Sequence, residues 1–232
     1  MVLYNLKMRN DGPFTFKKLF EQEHRSSLFA ALALLVVSFI ANHFASAYSL
    51  IFLTRPTSMY VGDLLLDNIP FVDLNFIVVE VTLIVIAIGV LYIMFRQPRR
   101  ILFSLKALAI FNITRALFIS LTHVGIYPGY IEPSAGIFDS IYVYFNMHTG
   151  FFFSGHTGLP FLLALIFWNK PVLRKVFLLI SLVFAISVLL THAHYSIDVL
   201  AAPFMAYGIF EITKYFFPRD YELTQQTEQE HV

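Results

Sequence analysis

Two short segments hold the residue types best suited to chemistry: Ser154-Gly155-His156-Thr157 and His192-Ala193-His194-Tyr195-Ser196-Ile197-Asp198. His194 and Asp198 stand four residues apart at a helix start, so their side chains share one face. A carboxylate in that position keeps one imidazole nitrogen protonated and leaves the other to attack, which makes His194 a nucleophile. His156, on a separate helix, is placed to protonate a leaving oxygen, and the backbone N–H groups of the Ser154-Gly155-His156 turn offer an anion site. A phosphate group satisfies both requirements. Ser154 also reads as a simple N-cap, which is compatible with the anion site. A metal centre is the competing chemistry, since His156, His192, His194 and Asp198 supply nitrogen and oxygen ligands. No HExxH spacing supports it, and the chain has no cysteine.

The scaffold for these side chains is predicted to lie in lipid. Of 232 residues, 58% are hydrophobic and only 13% charged, too little polar surface to cover a soluble domain. A spanning helix needs about 20 mostly apolar residues, and runs that qualify or come close occupy 28–53, 74–95, 101–123, 154–168, 172–190 and 197–217, the fourth being short. The expected fold class is all-α, a polytopic membrane protein with six transmembrane helices in one bundle. Its expected parts are a cytoplasmic N-terminal segment at 1–27, the catalytic helices at 28–217 and a cytoplasmic tail at 218–232, of which 222–232 reads as disordered. The polar start and the length of the first apolar run argue against a removable signal peptide. Sixteen Lys+Arg against fifteen Asp+Glu is no concentrated basic excess, so nucleic acid is not an expected partner.

Loop charge sets the orientation. Lys7, Arg9, Lys17, Lys18 and Arg25 precede the first helix; Arg96, Arg99 and Arg100 follow the second; Lys170, Arg174 and Lys175 follow the fourth; Lys214 and Arg219 close the sixth. The alternate loops hold only Arg55, against Asp63, Asp67, Asp73, Glu132 and Asp139. Short loops rich in Lys and Arg stay cytoplasmic, so both termini are expected inside and both motif segments at the outer, periplasmic, extracellular or lumenal face. Three ionisable groups some forty residues apart thus converge at one depth by an argument independent of their chemistry. Such groups in a membrane bundle are functional by default.

Arg115 and Glu80 lie roughly 12 and 9 Å below the outer ends of their helices, counted at 1.5 Å per residue. They are read first as an ion pair, with phosphate binding by Arg115 as the alternative. Lys106 is expected to snorkel to the inner surface. Tyr127, Tyr130, Tyr142 and Tyr144 read as an interfacial aromatic belt.

The motif strings resemble the type-2 phosphatidic acid phosphatase superfamily, and over most of 28–217 they resemble its sphingomyelin synthase branch. The resemblance rests on Asp67-Asn68-Ile69-Pro70-Phe71-Val72-Asp73, on Arg99-Arg100 with Arg115 and Pro128-Gly129 downstream, and on the two segments that hold His156, His194 and Asp198. It implies those three as the catalytic trio of a lipid phosphotransferase, working through a covalent phosphohistidine with no metal or other cofactor. Ser154, Gly155, Arg115, His192 and Tyr195 are then the expected substrate-binding residues, and a phospholipid and a lipid alcohol, ceramide- or diacylglycerol-like, the expected partners. The Lys-x6-Arg-Pro motif of the phosphatases is missing, and Ser187-Val188 stands where they carry Ser-Arg, which favours the synthase branch. His148-Thr149-Gly150-Phe151-Phe152-Phe153 lacks the cysteine-containing motif usual in the animal enzymes. The rival readings are a lipid phosphatase using the same residues with water as acceptor, and a noncatalytic lipid or solute carrier.

Because the chain has no native cysteine, single cysteines report the orientation directly. An impermeant thiol reagent on intact cells should label Ser134→Cys in the third outer loop and spare Asn169→Cys in the following inner loop. Labelling confined to position 169 would invert the topology.

Overall fold

The structure, a computed structural model, describes residues 14–53, 60–128, 130 and 152–226. Arg55, Gly129, Glu132, Ser134, Asp139, Tyr142, Tyr144 and the 148–151 stretch lie outside the described residues, as do Lys7, Arg9 and the end of the tail. The described chain is all-α. It forms α1 (Gln22–Leu53), α2 (Thr82–Arg96), α3 (Ile101–Leu121), α4 (Gly155–Ile166), α5 (Pro171–Leu190), α6 (Ser196–Phe216) and α7 (Pro218–Gln225). A wide π turn, Ile77–Val81, leads into α2.

Among the described residues, five helices are long and apolar enough to cross a membrane: α1, α2 with its π turn, α3, α5 and α6. The fourth run is different. With 12 residues, α4 is about 18 Å long, against a hydrocarbon core of about 30 Å, so the sixth expected crossing is not shown by length. Phe44, Phe95 and Phe204 are 68%, 70% and 80% exposed. Aromatic side chains turned outward on helices of this length suit contact with lipid.

The short α4 packs against α5 and α6 and touches α3, while α1 lies along α3. Leu162, Ala164 and Phe167 of the α4 region pack with Phe103 and Phe111 of α3, Phe177 of α5 and Ala202, Ala206 and Phe210 of α6. Small residues allow close approach: a side chain at Gly158 would meet the Phe111 ring at 3.0 Å and Ala202 at 3.5 Å. Arg100 holds the C-terminal end of α4. Its guanidinium donates to the Ile166 carbonyl and, at 2.8 Å, to Asn169 Oδ1, and it lies 4.8 Å from the centre of the Phe167 ring. A buried arginine thus satisfies one of the carbonyls that the end of a helix leaves open.

Two expectations around Lys106 and the tail change. Lys106 does not snorkel. It is 3% exposed, pairs with Asp220, donates to Ser27 Oγ at 2.7 Å and lies 4.4 Å from the Phe217 ring centre. Ser27 in turn donates to Asp220 Oδ1 at 2.8 Å. The partner comes from α7, which occupies part of the tail expected to be disordered. Pro218 begins that helix and Leu223 packs with Leu19, Leu28 and Leu102. A carboxylate reachable within the bundle makes the route to water unnecessary, and composition alone could not place it there. The first helix also begins at Gln22, ahead of the apolar run that marked it.

Removing one member of a buried ion pair leaves the other charge unpaired, at a cost of about 3–5 kcal/mol. Lys106→Met should therefore lower the detergent-solubilised protein's unfolding temperature more than the double variant Lys106→Met/Asp220→Leu. Thermal unfolding followed by circular dichroism measures the order.

Candidate active site

Asp198 joins the two motif segments. One turn into α6, its Oδ2 lies 3.3 Å from His194 Nδ1 and accepts the Tyr195 N–H at 3.1 Å. Its carbonyl oxygen accepts the N–H of Ser154, the residue that caps α4, at 3.0 Å. With the carboxylate on Nδ1, the nitrogen of His194 that remains for reaction is Nε2. Both residues are buried, at 6% and 3% exposure.

His156 faces His194 across a ring-centre distance of 5.9 Å. Its Nε2 is 3.1 Å from the carbonyl of Val78 in the π turn. A carbonyl only accepts, so Nε2 carries the proton there and Nδ1 is the nitrogen left for proton transfer. A π turn breaks the regular helical ladder and is often found at functional sites; here it stands beside His156.

The N-terminus of α4 retains fewer donors than its sequence suggests. The Ser154 N–H is engaged by Asp198, and the Thr157 N–H reaches Ser154 Oγ at 3.4 Å. The N–H groups of Gly155 and His156 remain as the candidate anion donors. Arg115 lies against them: a side chain on Gly155 would meet its guanidinium at 3.7 Å, and its Nε donates to the Phe153 carbonyl at 2.9 Å. The expected Glu80–Arg115 ion pair is not formed among the described residues. Equal depth on two helices does not make their side chains face each other, and Arg115 turns toward α4.

His156, His194, Gly155 and Arg115 line one cavity of about 710 Å³ whose other walls come mainly from apolar residues of α1 to α5. Counted from the N-terminus of α3, Arg115 lies about 21 Å along a helix about 31 Å long, about 9 Å short of its C-terminal end.

His192 and Tyr195 do not line this cavity. The Tyr195 hydroxyl donates to the Gly125 carbonyl at 2.7 Å and accepts the Val61 N–H at 3.4 Å, and its burial pushes the phenol pKa up. His192 has a φ of 52° and sits between Phe71 and Tyr127, with neither ring nitrogen hydrogen-bonded. Its backbone closes α5 through Ala193 N–H to Val188 O and His192 N–H to Leu189 O, both 3.0 Å. This is the left-handed helix cap that glycine usually takes. The alternative four-ligand metal set is accordingly not assembled: among the described residues, no three histidine or carboxylate side chains converge as metal ligands.

The outer loop supplies a residue that motif spacing does not mark. Asp63 Oδ2 accepts the Ser196 N–H, first in α6, at 2.7 Å, while Oδ1 accepts from Leu65 and Leu66. Burial raises the Asp63 pKa, but these backbone donors outweigh it and hold the carboxyl below its usual value. Asp63 thus caps α6 from 133 residues away. Alongside it, the Tyr127 hydroxyl donates to Asp67 at 2.6 Å, and that bond drives the phenol pKa to about 12. The expected belt tyrosine is a strut of the loop layer.

Residues 149–215 match the PAP2 superfamily C-terminal domain. The match holds both motif segments and nearly all of α4, α5 and α6, under a third of the chain, and leaves α1 to α3 outside it. PAP2 enzymes are lipid phosphatases and phosphotransferases. No curated protein matches the chain.

Losing a charged hydrogen-bond acceptor costs about 1.5–3 kcal/mol, and the start of α6 carries Asp198. Asp63→Ala should therefore lower both stability and turnover, with Asp63→Asn in between because one oxygen still accepts. The carboxylate's contribution is fully present above pH 3.8 and is lost as pH falls through the lower folded pKa. Melting curves and kcat for the three proteins provide the check; unchanged values in Asp63→Ala would remove the cap from the account.

Proposed function

We propose that this protein is a membrane lipid phosphotransferase of the sphingomyelin synthase-like kind, moving a phospho-head-group from a phospholipid to a lipid alcohol through a phosphohistidine. The observation that carries this reading is the His194–Asp198 pair facing His156 at the head of a largely apolar cavity inside the helix bundle. His194 Nε2 attacks phosphorus, and the N–P bond forms as the P–O bond to the diacylglycerol oxygen breaks. His156, entering the step as the imidazolium with Nε2–H held by the Val78 carbonyl, delivers its Nδ1 proton to that oxygen and is left neutral. The hydroxyl of the second lipid then gives its proton to His156, its oxygen attacks phosphorus and the N–P bond breaks. Gly155 and His156 N–H groups, with Arg115, hold the phosphate oxygens while charge moves. Ser154, Tyr195 and His192 act behind them, as the cap of α4 and as struts of the outer loops.

Burial of His194 and Asp198, at 6% and 3% exposure, favours a lipid alcohol over water as acceptor, because a dry pocket protects a reactive intermediate from hydrolysis. In this reading α4 and its flanks make a sixth crossing, both termini are cytoplasmic, and the site draws on the outer or lumenal leaflet.

The test is purified protein with a panel of phospholipids, with and without ceramide or diacylglycerol, and mass analysis of the products. Head-group transfer to an added lipid alcohol is expected; free phosphate or phosphorylated head group as the sole product would make it a hydrolase. His194→Ala and Asp198→Asn should each lower turnover by roughly a thousandfold or more, while the protein stays folded and inserted. Full activity in His194→Ala would sink the mechanism.

A further inference from the structure

Two carboxamides in the same cavity are not used by this chemistry. Asn42 of α1 and Asn112 of α3 both line it. Among the described residues neither side chain has a hydrogen-bond partner; the buried Asn42 oxygen is itself an acceptor, so it is the amide N–H groups of the two side chains that a carbonyl could engage. Polar side chains facing each other within a membrane bundle usually bond across helices. Thr82, on another wall of the cavity, satisfies its hydroxyl within its own helical span by donating to the Ile77 carbonyl at 3.3 Å. An unpartnered amide in such surroundings is costly and calls for an explanation.

Position supplies one. Asn112 is three residues before Arg115 on α3, about 4.5 Å nearer the inner end. Ala45 of α1 packs with Ala116 and Ile119 of α3, and the two helices run the same way because α2 returns between them. Asn42, three residues before Ala45, therefore falls level with Asn112. Both lie one helical turn beneath the guanidinium assigned to phosphate.

In a phospholipid with its phosphorus at the histidines, the next polar groups toward the tails are the carbonyls of the acyl linkages. We infer that Asn42 and Asn112 form a carbonyl-recognition site that donates amide N–H groups to the acyl linkage of the bound lipid. The site sets how deep the lipid sits and so the register of phosphorus against His194. A carboxamide offers two donors and an acceptor, so an ester or amide linkage fits it, whereas an ether linkage offers no carbonyl. This assignment rests on the proposed lipid chemistry for the location of the phosphate, but it makes a separable claim about the linkage.

The experiment compares acyl-linked and ether-linked phospholipids of equal chain length on the full-length protein, using wild type, Asn42→Leu, Asn112→Leu and the double variant. A hydrogen bond contributes about 0.5–1.5 kcal/mol, a factor of roughly 2 to 10. Wild type should prefer the acyl lipid by about tenfold, chiefly through KM. The double variant should lose that preference while the ether lipid changes by no more than about twofold. No wild-type preference, or an equal loss on both lipids, overturns the carbonyl site. If wild type turns over neither lipid, the proposed function fails, and native mass spectrometry of lipid retained by purified wild type and double variant decides the site alone. Acyl-selective retention lost in the double variant supports it, and equal retention of both lipids overturns it.

Discussion

Asp198 is asked to do three things at one point in the bundle. Its carboxylate lies against His194, the same carboxylate accepts the N–H of Tyr195, the residue just before α6, and its carbonyl receives the N–H of Ser154. The first two contacts are made by the side chain, and the third by the backbone where α6 begins. A shift of α6 along its axis would therefore move His194, Asp198 and the cap of α4 together. The outer loop guards against that shift: Asp63 holds the Ser196 N–H, and Tyr195 is tied to Gly125.

Much of this site was legible because chemistry in a membrane is sparse. Polar groups that would be lost among many on a soluble surface stand out in apolar helices, and the three that spacing singled out, His156, His194 and Asp198, are brought together in the structure. The helix pattern was legible for the same reason, since spanning segments are read from apolar length. Contacts that depend on rotation about a helix axis were not. Depth counting put Glu80 and Arg115 on one level and paired them, yet Arg115 faces Gly155 and the Phe153 carbonyl. Lys106 looked destined for the inner surface until α7 brought Asp220 beside it. Asp63 was one of several acidic loop residues, and nothing local marked it as the cap of a helix more than a hundred residues away.

The short α4 gives these contacts a common logic. A helix of 12 residues gains less from its own backbone than the longer helices do, so it is fixed by its neighbours. At one end Ser154 binds Asp198, at the other Arg100 binds the Ile166 carbonyl, and in between Ser181 donates to the Thr157 carbonyl at 2.7 Å. Pro160, which removes a backbone donor, is tolerated within that frame. Shortness also has a consequence for function. It puts His156 inside the bundle rather than at its rim, next to a cavity bounded by hydrocarbon side chains.

That location bears on the choice between two acceptors that the catalytic residues cannot themselves distinguish. Water and a lipid alcohol would attack the same phosphorus with help from the same His156, so selectivity has to come from what reaches the site. A lipid alcohol arrives through an apolar space with its hydroxyl at the polar end, which matches a cavity whose histidines and arginine sit at its head. Water would have to approach past the layer made by Asp63, Asp67, Tyr127 and Tyr195, where carboxylates, hydroxyls and backbone groups already hydrogen-bond one another. In the proposed reading, the layer that positions α6 would also lie on the route from the aqueous side, so that one set of contacts would serve both the geometry of His194 and a transfer between lipids.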